Sequence, residues 1–330
     1  MKFKIPSYNI KNTTKALVVV VLSASSIFSS EISRGVNDVL NIESNAKIGA
    51  MAGIQGPQDY WYTAESMELS FSHLSWIAES QLDELAFVLP LKSKTNALAF
   101  SLSRFGQDDI PLIDEDEVVN GSEYRTFSIA EYILEATYVH QWDWFRLGGS
   151  LFLLHRDIGQ QGIGVRGDLH GQLYYKNFVF STRAEALTSS ISQWESDHFE
   201  YEEPEVFIGM SFKQAIPYFY GDLRFLWESK GLFREESAQR TGNLEDPRLF
   251  YSPLNFLKFS ALGLEYSGEH GLAIRAGLPV IKEVKYPSFG AGYTLKEALS
   301  LDYSINKHPE LGVFHRFSIS FREEFINWFK

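Results

Sequence analysis

The sequence predicts an all-β fold, a closed antiparallel transmembrane β-barrel of about fourteen strands. Three observations predict it. The one long apolar run lies near the start and is too short for a membrane helix. Hydrophobic residues alternate with a period of two from residue 67 onward. Connection length follows the parity of the strand.

Lys2, Lys4, Lys11 and Lys15 precede the apolar run ALVVVVLSASSIF at 16–28. A positive stretch followed by a short apolar core is the pattern of a secretory signal, and about 13 residues do not span a hydrocarbon core roughly 30 Å thick as a helix. Residues 1–30 are therefore read as a signal peptide, with small residues Ala24 and Ser26 before one candidate cut and Ser29 or Ser30 before others. The alternative is an uncleaved N-terminal anchor helix. No apolar stretch of about 18 residues or more follows, so helical membrane spans are not expected and an exported chain of this kind is periplasmic, secreted or a barrel.

The alternation is clearest at 163–175, IGVRGDLHGQLYY. Ile163, Val165, Leu169, Leu173 and Tyr175 share one face with Gly167 and Gly171, while Arg166, Asp168, His170 and Gln172 share the other. Successive strand side chains point to opposite faces, so one face is apolar and the other carries charge. The same pattern recurs at 218–228, 299–306 and 313–322. The strands drawn in this way lie near 67–76, 82–91, 95–105, 127–140, 143–155, 163–175, 178–188, 205–214, 218–228, 256–267, 271–279, 288–295, 298–306 and 312–322. Their lengths suit tilted membrane strands of about 9–11 residues.

Connections after even strands are short: KSK near 92, QW near 141, KN at 176–177, AIP at 215–217, GEH at 268–270 and KE at 296–297. Those after odd strands are often long, at 106–126, 156–162, 189–204 and 229–255. Tight turns on one rim and long loops on the other characterise outer-membrane barrels. This sets a bacterial outer-membrane location with both termini periplasmic and outer-membrane lipid as the surrounding partner. The long loops are acidic, DDIPLIDEDE at 108–117 and ESDHFEYEEPE at 195–205. A solvated charge run is the plain reading of these, and divalent-cation binding is the alternative. A soluble sandwich or propeller would not sort its loops by parity, and no blade-length repeat is present.

Composition agrees. Aromatic residues make up 15% of the chain, including 26 Phe, which fits membrane-interface belts and equally a large soluble β-protein. The net charge is −12, and removing the four signal lysines makes it −16, which disfavours a nucleic-acid partner. With no cysteine, thiolate chemistry and disulfides are excluded. No GxSxG, HExxH, P-loop or Rossmann glycine pattern occurs, so neither an enzyme nor a cofactor is expected. His140, His155 and His170 lie on three strands without metal-ligand spacing.

The polar faces assign Arg166, Asp168, Arg224, Glu265, Arg275, Asp302 and Arg316 to the barrel interior. Asp302 and Arg316 lie at similar distances from the 307–311 connection, which sets them facing across the last hairpin. Charges inside a narrow lumen must be paired or hydrated. The set reads first as an ion-pair network holding a filled barrel, and second as a charged constriction that gates a permeating molecule.

Four stretches carry a resemblance: MELSFSHLSWIAESQLDELAFVLPL at 67–91, LGGSLFLLHRDIG…GIGVRGDLHGQLYY at 147–175, ALGLEYSGEHGLAIRAGL at 261–278, and SFGAGYTLKEALSLDYSINKHPELGVFHRFSISF at 288–321. They resemble the PorV/PorQ-type outer-membrane proteins, a branch near the FadL transporters. The resemblance implies a barrel over 67–322, a periplasmic plug segment over 31–66 and a tail over 323–330. Such proteins carry an Asn-Pro-Ala turn before the first strand. Here QDYWYTAES at 58–66 keeps Trp61 and Ala64 but neither Asn nor Pro. REEFINWFK also follows the aromatic Phe321 on which such a barrel would end. The PorV side implies a non-enzymatic part in type IX secretion or surface attachment, with secreted cargo proteins or other secretion components as partners. The FadL side implies passive transport of hydrophobic small molecules.

Overall fold

The structure is a computed structural model and describes residues 42–57, 66–76, 79–91, 95–112, 125–187, 190–194, 199–202, 204–229, 259–279, 287–308 and 312–323. Residues 1–30, 58–65 and 324–330, with the signal, turn and tail expectations placed on them, lie outside the described residues.

The barrel strands are β1 (Glu68–Ser75), β2 (Gln81–Pro90), β3 (Asn96–Leu112), β4 (Arg125–Gln141), β5 (Phe145–Asp157), β6 (Gln161–Tyr175) and β7 (Phe178–Glu185 with Ser190–Trp194). They continue as β8 (Phe199–Glu202 with Glu205–Ile216), β9 (Gly221–Ser229), β10 (Ser260–Gly268), β11 (Leu272–Pro279), β12 (Ser288–Leu295), β13 (Leu299–His308) and β14 (Gly312–Arg322). Each pairs antiparallel with its sequence neighbour, and β1 pairs with β14 from Glu68↔Arg322 to Ser75↔His315, closing the sheet. Among the described residues the ring of strands is continuous, which is what lets a sheet stand in lipid.

β7 and β8 are each interrupted. Ala186 adopts φ 52, and the pairing with β6 stops at Leu169↔Ala184 and resumes at Val165↔Ile191. The Asp168 carboxylate accepts the Ala186 N–H (2.8 Å), satisfying a donor that the broken ladder has released.

The burial pattern inverts that of a soluble protein. On β6, Ile163 is 64% exposed while Arg166 is 3% exposed. Leu85, Phe100, Leu134, Leu151, Phe225, Ile274 and Phe289 are exposed on the other strands. An apolar exterior around a polar interior is stable only where lipid surrounds it. Aromatics crowd the short-turn rim: Trp142 and Trp144 after β4, Tyr175 at the end of β6, and Tyr218, Phe219 and Tyr220 after β8. That is the headgroup level, where amphipathic rings are favoured.

Two connections differ most from the sequence reading. The one expected at 156–162 contains only residues 158–160 between paired strands, and β7 and β8 extend into the one expected at 189–204. Polar residues past the lipid edge carry no alternation, but their backbones still gain from pairing. The gaps between paired strands remain long at 113–124 and 230–259. On the other rim, Pro217–Phe219 forms a 3₁₀ turn with Tyr220 at φ 51, so β9 begins at Gly221 rather than 218. Lys296 and Glu297 both have positive φ, the geometry of a type I′ hairpin turn.

Candidate functional site: the lumen and its inner segment

Residues 42–57 run inside the barrel. Asn45 caps a single helical turn, α1 (Ala46–Gly49), its side chain accepting the Lys47 N–H (2.9 Å). From there the segment follows the wall from β14 back to β6. Ala46 N–H donates to Ser318 on β14 (2.9 Å), and Ser288 on β12 accepts the Ala52 N–H (3.0 Å) and donates to the Ala50 carbonyl (2.9 Å). Glu228 on β9 accepts the Gly56 N–H (2.6 Å), Gln172 on β6 donates to the Gly56 carbonyl (2.6 Å), and Ser211 on β8 donates to the Pro57 carbonyl (3.1 Å). Gln55 reaches back to Glu43 (2.7 Å), so the segment closes on itself as a loop.

Glycines make this approach possible. A Cβ on Gly277 would collide with the backbone of Met51 and Ala52, and one on Gly290 would lie 2.5 Å from the Ala50 side chain. A glycine inside a strand often marks such close approach of another backbone. Met51, Ile54 and Leu226 form a small apolar cluster at the same contact.

Charge surrounds the segment. Arg275 pairs with Glu265 (2.6 Å) and Asp302 (2.5 Å), with Arg224 across the β9–β10 ladder from Glu265. Burial pushes the Lys47 ammonium below its ordinary value, against the pull of Glu265. Arg316 donates to the Glu43 carbonyl (2.6 Å) and to Asn306. Burial pushes the Glu43 carboxyl up, opposed by the Asn45 N–H and Gln55 side-chain hydrogen bonds and by Arg316 and Arg183. Nearer β6, Arg166 forks onto Asp168 through two bonds of 2.8 Å and also meets Glu185 (2.7 Å). Arg183 bridges Glu185 (2.9 Å) and Glu228 (3.6 Å), and also holds Gln55.

The seven residues assigned to the interior thus fall into three groups. Arg166 with Asp168 forms one, and Arg224, Glu265, Arg275 and Asp302 form another. Arg316 lies apart from both, on the inner segment. It does not face Asp302: the β13–β14 register sets Asp302 opposite Ser318 and Arg316 opposite Ser304. Similar distance from a turn is not identity of row, and a two-residue offset moves the partner by one full repeat. Sequence reasoning missed Arg183, Glu228 and Gln172, which hold the inner segment. Their inward parity was readable, but the segment they bind was not.

A cavity of about 320 Å³ lies between the inner segment and the wall, chiefly against β2–β7. Glu84 and Glu135 line it, with Ser101 and Ser103 on the strand between them and Ser150 on β5 beyond Glu135. Ser44 donates to Glu84 (2.5 Å), and Ser101 (3.1 Å) and Thr137 (2.7 Å) donate to Glu135. Of the three histidines, His170 lines the cavity, whereas His140 packs on Trp142 and His155 is exposed beside Tyr132. Among the described residues no group of three or more His, Asp or Glu could hold a metal ion. Much of the two acidic loops lies outside the described residues.

The architecture is that of an outer-membrane β-barrel. The sequence matches no protein-family model and no curated protein. Solved structures share the fold. The toluene transporter TodX of Pseudomonas putida aligns with 86% of this chain and 97% of its own, at 11% identity and a TM-score of 0.50. The toluene transporter TbuX of Ralstonia pickettii covers 84% of this chain and 96% of its own, at 10% identity and a TM-score of 0.47. A Pseudomonas aeruginosa FadL homologue covers 86% and 98%, at 10% identity and 0.47. The likeness is one of fold.

Proposed function

We propose that this barrel is a passive outer-membrane transporter of small molecules, with residues 42–57 as a plug that closes part of its lumen. The cavity carries this reading. An internal space of about 320 Å³ bounded by a separate chain segment is of small-molecule size. A barrel that only collects secreted proteins at its rims has no need of one. The FadL-type role implied by the sequence resemblance is therefore preferred to the PorV-type role in secretion, which no observation on this chain favours. The short turns and both termini face the periplasm, and the long loops face outward.

Swelling of liposomes carrying the purified barrel tests the reading. Small solutes enter faster than into empty liposomes, and removing residues 42–57 accelerates entry further. Unchanged permeability in both preparations would reject transport. A deletion strain that accumulates secreted cargo in its periplasm would restore the secretion reading.

A further inference from the structure

The cavity wall specifies the chemistry of its occupant, and two features of that wall point the same way. The first is Arg146 at the start of β5, which lines the cavity and is only 4% exposed. Its guanidinium donates to neutral groups, Gln172 (3.1 Å) and Gln141 (2.8 Å), and lies 5.3 Å from the Tyr174 ring centre. Its Nε meets no acceptor. No carboxylate pairs with it among the described residues, although Arg166, Arg183 and Arg275 each have at least one. A buried guanidinium without an anion is costly, and its fork geometry matches a carboxylate.

The second is the opposite imbalance higher on the same wall. Glu84 on β2 and Glu135 on β4 line the cavity and take hydrogen bonds only from hydroxyls. Neither has a Lys or Arg partner among the described residues. In the β4–β5 ladder, Glu135 stands opposite Phe152 and Arg146 opposite Gln141. The two are thus offset by six residues, about 20 Å at roughly 3.3–3.4 Å per residue. A single amino acid does not reach from one to the other. An extended peptide of about three to six residues does, at roughly 3.3–3.6 Å each.

We propose that the cavity binds a short zwitterionic peptide, its carboxylate on Arg146 and its ammonium at Glu84 and Glu135. The inference rests on the transporter reading and names its substrate class. Ser150, opposite Thr137 in the β4–β5 ladder, stands between the two ends and its hydroxyl faces the peptide units, while Ser101 stands level with Glu135 at the ammonium end. An apolar solute would strip water from these charges without replacing their hydrogen bonds.

Equilibrium binding of tetraalanine to the purified full-length barrel tests the proposal, beside N-acetyl-tetraalanine and tetraalanine amide. Tetraalanine binds saturably, and either blocked form binds about tenfold more weakly or worse. Arg146→Met abolishes discrimination against the amide, and Glu135→Gln reduces discrimination against the acetylated form. Heat-modifiable migration checks folding, and the three ligands on the unmutated barrel decide the matter should a variant fail to fold. Equal binding of all three, or binding of none, overturns the proposal. Tetraalanine binding without liposome entry would instead reject transport and leave the binding site standing.

Discussion

The inner wall from β8 to β14 and the wall from β2 to β7 meet the plug in different ways. Along the first, glycines at 277 and 290 bring backbone against backbone, serines at 288 and 318 bond main-chain groups, and the Arg275 charges are paired. Along the second, contact is made through side chains, Glu84 with Ser44, Gln172 with Gly56 and Arg183 with Gln55, and a cavity remains in which Arg146, Glu84 and Glu135 have no ionic partner among the described residues. Both walls come from the same alternating strands, so alternation alone does not decide which half is filled. Residue size at the inward positions and the balance of charge decide it. One half holds a chain segment, and the other leaves the space that the proposed transport reading fills with solute.

The comparison can be broken most severely at Asp302. Asp302→Lys sets a second cation against Arg275, and breaking a buried pair costs about 3–5 kcal/mol. If the paired half is structural, the variant loses heat-modifiable migration and the folded barrel. A folded barrel with altered flux would assign the pair to gating instead. Gly277→Val acts chiefly on the plug, its Cβ meeting the Met51 and Ala52 backbone and, on the barrel, the Ser288 hydroxyl. Overpacking costs about 1–3 kcal/mol, a shift of roughly five- to hundred-fold in the docked population. Liposome swelling rises while the barrel stays folded.

Glu43→Gln has the smallest expected effect. Burial raises the Glu43 carboxyl, so the docked plug binds this proton more tightly than the undocked one. Docking is therefore favoured at low pH and weakens as pH rises from about 4.5 toward the raised value. Glutamine keeps an acceptor for Gln55 without the charge. The variant's permeability is lower than that of the unmutated barrel at neutral pH and loses its dependence over that range.

Much of this barrel was legible in the sequence, because a strand between lipid and lumen must alternate. Ile163 to Tyr175 reads directly as an outer and an inner face. Strand ends were less legible, as β3 shows. Its alternation fades by Phe105, yet pairing continues through Gln107, across an irregularity, to Leu112. The break in β7 falls at Ala186, a residue type that gives no warning of positive φ. At the site, the charged inward residues were readable from parity, but their partners depend on register between strands, as Asp302 and Arg316 show. The plug contacts left one faint signal, glycines within the strands at 263, 277 and 290. That signal says something approaches the wall, and not what approaches it.

If the plug covers one half of the lumen and leaves the other open to solute, side chains on the two halves differ in their access to water. The chain has no cysteine, so a single introduced thiol reports on its own position. Ser103→Cys stands on the cavity wall, and Ser318→Cys stands beneath Ala46 on the plug-bound wall. Labelling both in the folded barrel with a water-soluble thiol reagent compares the halves directly. Ser103→Cys reacts about tenfold faster or more, and adding Gly277→Val brings Ser318→Cys toward the same rate. Equal rates without that second change, or faster labelling at Ser318→Cys, would contradict that arrangement of the plug.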